Sequence, residues 1–195
     1  MKHLVRIFST AGYKGNRNYI NSQKKYEIIR TLLFFAISAS LFIAGYVTTK
    51  TKTNYLTIVA VVGCLPACKS LIGAIMFLRY KSASEDLCQK LDTIKYDLCE
   101  LYDMVFTSYD KNFAVSHMVI AGNTVCGITE AKSFAEKEFQ THINNVLKLD
   151  GHKNVTVKIF TDTEKYINRI SQLNESETDV SNSESIAQTF KSVAL

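Results

Sequence analysis

The side chains able to do chemistry fall in two places. The first is Gly63 to Ser70, GCLPACKS, where Cys64 and Cys68 stand four residues apart around Pro66, the only proline of the chain, with Lys69 alongside. Two thiols at that spacing suggest a redox pair or half of a soft-metal site, and the lysine suggests a charge lining a pore. The second place lies downstream, where His117, Cys126 and the triplet Glu130-Ala131-Lys132 follow one another within a short span. A Cys–His pair is a possible nucleophile arrangement, and an alternating strand would put His117 on the same sheet face as Cys126 and Glu130.

Elementary geometry weighs against most of this. Thiols at i and i+4 of a regular helix share a face but stand too far apart for an unstrained disulfide. No His or third Cys lies near them, and cysteine also serves as a small apolar residue in helix packing. The five cysteines have no zinc-finger or disulfide-framework spacing, and His142 and His152 have no metal spacing to each other. There is no phosphate-cradling glycine loop. No cofactor and no metal are expected. The reading leans away from an enzyme, with Glu130, Lys132 and His117 as the candidates if there is catalysis.

Charge and hydropathy place these residues. Before Thr31 the basic residues are Lys2, Arg6, Lys14, Arg17, Lys24, Lys25 and Arg30 against Glu27 alone, and from Arg79 onward 17 acidic residues outnumber 13 basic ones. The excess of positive charge therefore flanks the apolar region. It does not form a basic, aromatic-interleaved face, so no nucleic acid is expected as a partner. Residues 31–48 carry no charge, and about 20 such residues cross a hydrocarbon core roughly 30 Å thick. A second apolar run, 55–78, has Lys69 as its one charge. The connection is too short for a domain, so the two helices form an antiparallel hairpin over 31–78.

The positive-inside rule orients it, with Lys14 to Arg30 on one flank and Arg79 and Lys81 on the other, against Lys50 and Lys52 in the loop. The expected location is the cell membrane, multi-pass, with both termini cytoplasmic and residues 1–30 a basic cytoplasmic segment. Pro66 should kink the second helix, and Gly63, Ala67, Ser70, Gly73 and Ala74 offer a small-residue face to Gly45 or to a second copy. Lys69 must snorkel, enter a helix interface, or serve a pore, a partner or a lipid phosphate.

Residues 79–173 read as a cytoplasmic α+β domain. Ser82-Ala83-Ser84-Glu85 resembles a capping box. Leu87, Leu91, Ile94, Leu98 and Leu101 then recur at a/d spacing, a helical stripe offered to its own domain or to another subunit. Strands are expected over 102–108, 113–120 and 124–129, with Gly122-Asn123 as a tight hairpin turn. A helix over 133–148, a strand over 155–160 and a helix over 163–173 complete the order helix, three-strand meander, helix, strand, helix. Residues 174–195 form an acidic, Ser-rich tail whose end, SIAQTFKSVAL, could dock as a short amphipathic segment.

This element order, with Glu130-Ala131-Lys132 after the third strand, resembles the core of the restriction-endonuclease-like fold, in particular its membrane-associated nuclease-related (NERD) branch. The resemblance implies a divalent metal held by an Asp on one strand and a Glu-x-Lys on the next. Here the Asp position, judged by the run VSHMVI, holds Ser116. The whole chain also resembles small two-helix membrane proteins of Gram-positive bacteria whose activity is uncharacterised. The expectation is a membrane-anchored cytoplasmic interaction or regulatory module that binds a protein partner or self-associates into a homo-oligomer. The alternatives are a membrane-tethered metal-dependent nuclease and a subunit of a small oligomeric channel or transporter.

Overall fold

The computed structural model describes residues 13–51, 54–175 and 182–195. Among these, one compact unit lies within residues 20–81 and a second comprises residues 13–19 with 82–195.

The first unit holds two long helices, α1 (Tyr19–Thr49) and α2 (Tyr55–Leu78). The Asn54 side chain caps α2 by accepting from Thr57 N, and the helix runs unbroken through Pro66. α1 begins at Tyr19, well before the charge-free run starts at Thr31. The lysines, glutamine and glutamate of that first stretch are good helix formers, so the helix does not stop where the charge begins.

α2 meets α1 through small residues. Ala60, Ala67, Ser70 and Ala74 are buried. A Cβ on Gly63 would lie 2.9 Å from Ser38 Oγ, and one on Gly45 would lie 2.8 Å from the Leu56 Cβ. Thr31 Oγ1 lies 3.0 Å from Ser70 Oγ. Thr31, Ser38 and Gly45 step forward by sevens while Ser70, Gly63 and Leu56 step back by sevens, so the two helices keep one antiparallel register throughout. The small-residue face is thus spent within the hairpin. The outer faces are apolar and uncovered: among the described residues, all but two of the exposed large hydrophobic residues lie between Ile28 and Leu78.

The second unit is a mixed four-stranded sheet with helices on both faces. Its strands are β1 (Cys99–Thr107), β2 (Asn112–Ala121), β3 (Thr124–Ile128) and β4 (Thr156–Phe160), in the order β1-β2-β3-β4. The first three form the expected antiparallel meander, and β4 joins parallel to β3. Gly122, at φ +57°, makes the two-residue turn between β2 and β3. Its helices are α3 (Glu85–Asp92), α4 (Glu136–Leu149), α5 (Thr163–Glu175) and α6 (Ser183–Val193).

One face packs Phe139, Ile143 and Leu147 of α4 and Ile186, Ala187 and Phe190 of α6 against Phe106, Phe113, Met118 and Ile120. The other packs Leu87 and Leu91 of α3 and Tyr166, Ile170 and Leu173 of α5 against Tyr102, Val119, Cys126 and Ile128. The outer edge of β1 is covered by two short pairings. Tyr102 N donates to Gly15 O at 2.8 Å, and Leu195 N donates to Val105 O at 2.9 Å. The docking segment at the C-terminus is therefore a core helix followed by an edge pairing. Of the acidic tail, residues 176–181 lie outside the described residues.

The helical stripe through Leu87, Leu91, Ile94, Leu98 and Leu101 does not form. α3 ends at Asp92, Ile94 and Leu98 lie in the connection, and Leu101 is in β1. Leu87 and Leu91 are buried against one sheet face and Leu101 against the other, so the five never share a surface. The reason is tertiary: the residues from Cys99 onward gain a full ladder with β2, from Cys99↔Ile120 to Thr107↔Asn112, and that pairing overrides the local 3.5-residue period.

A second departure sits inside the sheet. Leu101 and Met104, three residues apart, both face the α4–α6 side, as do Val115 and Met118 across the ladder. Strict alternation forbids this. The phase is reset at Asp103, whose φ of +55° is left-handed in mid-strand, opposite Ser116, while the register on either side is unchanged.

Phe190 touches Phe106 edge-on at a centroid distance of 5.6 Å and is fully buried. Phe190→Ala should lower the unfolding free energy by about 3–5 kcal/mol, read by urea denaturation of the full chain in detergent. Substituting the exposed Gln188 in the same helix should change it by no more than about 0.5 kcal/mol.

Candidate functional site

Where β1 begins, alternation places Glu100 and Tyr102 on the face covered by α3 and α5, with His117 of β2 directly across from Tyr102. His117 is fully buried, and its ring lies 4.3 Å from that of Tyr102. Its two nitrogens are both engaged: Nδ1 is 2.8 Å from Tyr166 Oη of α5, and Nε2 is 3.4 Å from Glu100 Oε2. An ionised carboxylate only accepts, so Nε2 carries the hydrogen and Nδ1 accepts a hydrogen bond from the Tyr166 hydroxyl. Tyr96 Oη donates to the same Glu100 oxygen at 2.7 Å. His117 and Tyr96 thus both direct their hydrogens toward one carboxylate oxygen, with Tyr166 donating to His117 from behind.

The electrostatics agree with that direction. The hydrogen bond from His117 holds the Glu100 carboxyl below the usual range, against the opposing effect of partial burial. Burial lowers the His117 pKa despite Glu100, so the imidazole is neutral. Burial also pushes up the Tyr166 phenol, and takes Tyr102 to about 12. Of the four, Glu100 and Tyr102 open to a groove, a surface depression of about 730 Å³ lined by Asp92, Tyr96, Asp97, Glu100, Tyr102 and Asn174 among others. The Asn174 side chain accepts from Asp97 N and fixes the groove's rim to the end of α5. Chemically, this is a fixed, ionised acceptor flanked by two tyrosines, suited to a cationic or hydrogen-bond-donating group.

The residues expected from the sequence are dispersed differently. Cys126 shares the face of His117, as expected, but it pairs across from Val119 and is buried, which raises its thiol pKa. With both His117 nitrogens occupied, no Cys–His pair forms. Glu130 and Lys132 are exposed in the connection after β3. The Glu130 carboxylate has a clear structural task. Ser84 is the N-cap of α3, its Oγ accepting from Leu87 N, and Glu130 Oε2 accepts from Ser84 N at 3.0 Å.

In a capping box a glutamate within the helix fills that last position; here it comes from 46 residues away. Asp103, buried and left-handed, accepts from the neighbouring Ala83 N at 2.8 Å. Among the described residues, no group of three His, Cys, Asp or Glu side chains is placed to hold a metal ion. In the hairpin, Cys68 and Lys69 are exposed, Cys64 is half-buried and Pro66 is exposed; none of the four lies on the strip facing α1.

Sequence reasoning missed Glu100, Tyr96, Tyr166 and Asp103. His117 was visible, but its partners come from three other segments and are found only through the strand register. Compared with known proteins, the chain matches no family model, no curated protein and no solved structure. What its own architecture defines is a two-helix apolar hairpin attached to a mixed α+β domain.

The buried neutral histidine makes stability depend on pH. As pH falls below about 6.5 the unfolded chain takes up a proton that the fold excludes, so stability drops. Glu100 adds a further loss below roughly pH 4 as its carboxylate is neutralised. His117→Gln should flatten the melting midpoint between pH 7.5 and 5.5, where the wild type declines. Tyr166→Phe, which leaves Nδ1 without its donor, should cost about 1–3 kcal/mol at pH 7.5. An unchanged pH slope in His117→Gln would contradict the buried neutral imidazole.

Proposed function

We propose that the chain is a membrane-anchored binding module, with α1 and α2 crossing the cell membrane as a hairpin and the α+β domain on the cytoplasmic side. The observation that carries this is the concentration of exposed large apolar side chains on the outer faces of the two helices, from Ile28 to Leu78. Both helices are long and apolar enough to span, and most of each span is uncovered within the chain. The alternative for such helices, the core of a soluble protein, requires them to be mostly buried.

Charge supports the orientation. The end of the hairpin away from the loop carries Lys24, Lys25, Arg30, Lys69, Arg79 and Lys81 against Glu27, and the loop carries Lys50 and Lys52. That asymmetry favours both termini in the cytoplasm. The domain then offers the Glu100 groove to a cytoplasmic ligand bearing a cationic or donor group. The two surfaces the sequence offered for self-association, the small-residue face and the Leu87–Leu101 stripe, are spent inside the chain. A single anchored copy binding another partner is therefore the reading we favour over a helical oligomer built on those surfaces.

Topology is testable with single cysteines in an otherwise cysteine-free chain. Thr51→Cys, in the hairpin loop, should react with a membrane-impermeant maleimide applied to intact cells. Tyr109→Cys, at the fully exposed turn between β1 and β2, should react only after the cells are opened. Release of the protein from membranes by alkaline carbonate would sink the spanning reading, and labelling of Tyr109→Cys from outside would reverse the orientation.

A further inference from the structure

Lys69 is the one charge in the apolar run of α2, and the hairpin register fixes its level. Ser70 stands opposite Thr31, which is the first residue of the charge-free run on α1. Lys69 is therefore level with the start of that run and within about one turn of Arg30. Measured on α1 it stands at the basic end of the charge-free run, although α2 itself stays uncharged on to Leu78.

The same register fixes its side. Thr31 and Ser70 face each other, and each helix turns about 100° per residue. In antiparallel helices, stepping back one residue from such a facing pair swings both side chains to the same flank. Arg30 and Lys69 are those two residues. With helix axes 8–10 Å apart, their Cβ atoms lie roughly 10 Å from each other, a gap that two long cationic side chains can close from both sides onto one anion. Lys69 is exposed, and Arg30 is half-buried and held by Glu27, its Nη1 at 2.8 Å from Oε1. On the loop side of this level the same flank of α2 is apolar, with Leu65, Val62 and Ile58 exposed, while away from the loop α1 carries Lys24 and Lys25. Cations at one level beside a continuing apolar surface complement a molecule that is anionic at its head and apolar in its tail.

We propose that Arg30 and Lys69 form a headgroup site for an anionic phospholipid of the cytoplasmic leaflet, the phosphate lying between the two side chains and the acyl chains along α2. This rests on the membrane-spanning reading above. It accounts for a lysine in an apolar helix that lies off the strip facing α1: the ammonium meets a phosphate at the interface, at the level where a short reach leaves hydrocarbon.

The full-length protein in detergent micelles, titrated with phosphatidylglycerol or phosphatidylcholine and read by native mass spectrometry, tests the site. The wild type should retain phosphatidylglycerol in preference. Lys69→Gln should weaken that retention about fivefold, the effect of one interfacial cation, and Lys69→Arg should restore it. Lys81→Gln, a basic residue outside the site, should leave it unchanged. Equal retention of both lipids, or no effect of Lys69→Gln, overturns the proposal. Inorganic phosphate displacing the lipid, or Lys69→Gln dissolving an oligomer in place of a lipid adduct, overturns it in favour of a free-anion site or a subunit contact. Carbonate extraction of the same variants separates the two levels: protein that stays in the membrane without lipid preference refutes the site alone, whereas protein released from the membrane refutes the spanning reading beneath it.

Discussion

Two helices carry apolar surface that the remainder of the chain does not cover, and this constraint governs the first unit. In water, uncovered aliphatic surface costs on the order of 25 cal/mol per Å². The outer faces of α1 and α2 expose 21 large hydrophobic side chains between Ile28 and Leu78, which the membrane proposed above would cover. Once lipid covers them, the hydrophobic effect no longer drives the helices together. Their association must come from close packing and hydrogen bonds, and the strip of Ala60, Gly63, Ala67, Ser70, Gly73 and Ala74 serves that need. The composition of the inner face thus follows from that of the outer one.

The second unit covers its own apolar surface. Its sheet is covered on both faces by helices, and the outer edge of β1 is closed by residues from both ends of the domain's sequence. An edge strand left open would invite pairing with another chain; Gly15 and Ala194 block β1 at Tyr102 and Phe106. Within this unit the polar chain from Tyr166 through His117 to Glu100 leads buried hydrogen-bonding groups to the surface. Each buried member has a partner, which is the condition under which such a network stabilises a fold. The carboxylate at its end is held by the fully buried His117 imidazole and the half-buried Tyr96 hydroxyl.

Much of this was legible in the residues. Hydropathy located α2 to its ends, Gly122-Asn123 located the hairpin turn, and the alternation of Val157 and Ile159 located β4. The errors share a cause. The period of Leu87 to Leu101 is a true helical pattern, yet Cys99 onward has a ladder partner that the local pattern cannot reveal. Strand phase across Asp103 was equally hidden, because a left-handed residue is not announced by its type: aspartate tolerates that region only somewhat better than most. Glu130 illustrates the same limit from the side of function. As a triplet with Lys132 it suggests metal chemistry, whereas its carboxylate completes the cap of a helix 46 residues upstream. Side-chain chemistry reads from sequence; the partner that uses it does not.

The register of the hairpin remains to be explained, since small residues repeating every seven positions would allow the helices to slide by a turn or more. Glu27 supplies the missing specificity. It is 6% exposed, and its carboxylate accepts from Arg30 Nη1, Gln23 Nε2 and Ser70 Oγ. Arg30 and Gln23 lie on its own helix and would follow it anywhere; Ser70 does not. Any slip withdraws Ser70 and leaves a charged group in the seam with fewer donors, a penalty that an apolar seam would not impose. A single polar layer of this kind fixes register at some expense of stability, as it does in coiled coils. The depth of Lys69, one residue from Ser70, is therefore set by a carboxylate on the other helix.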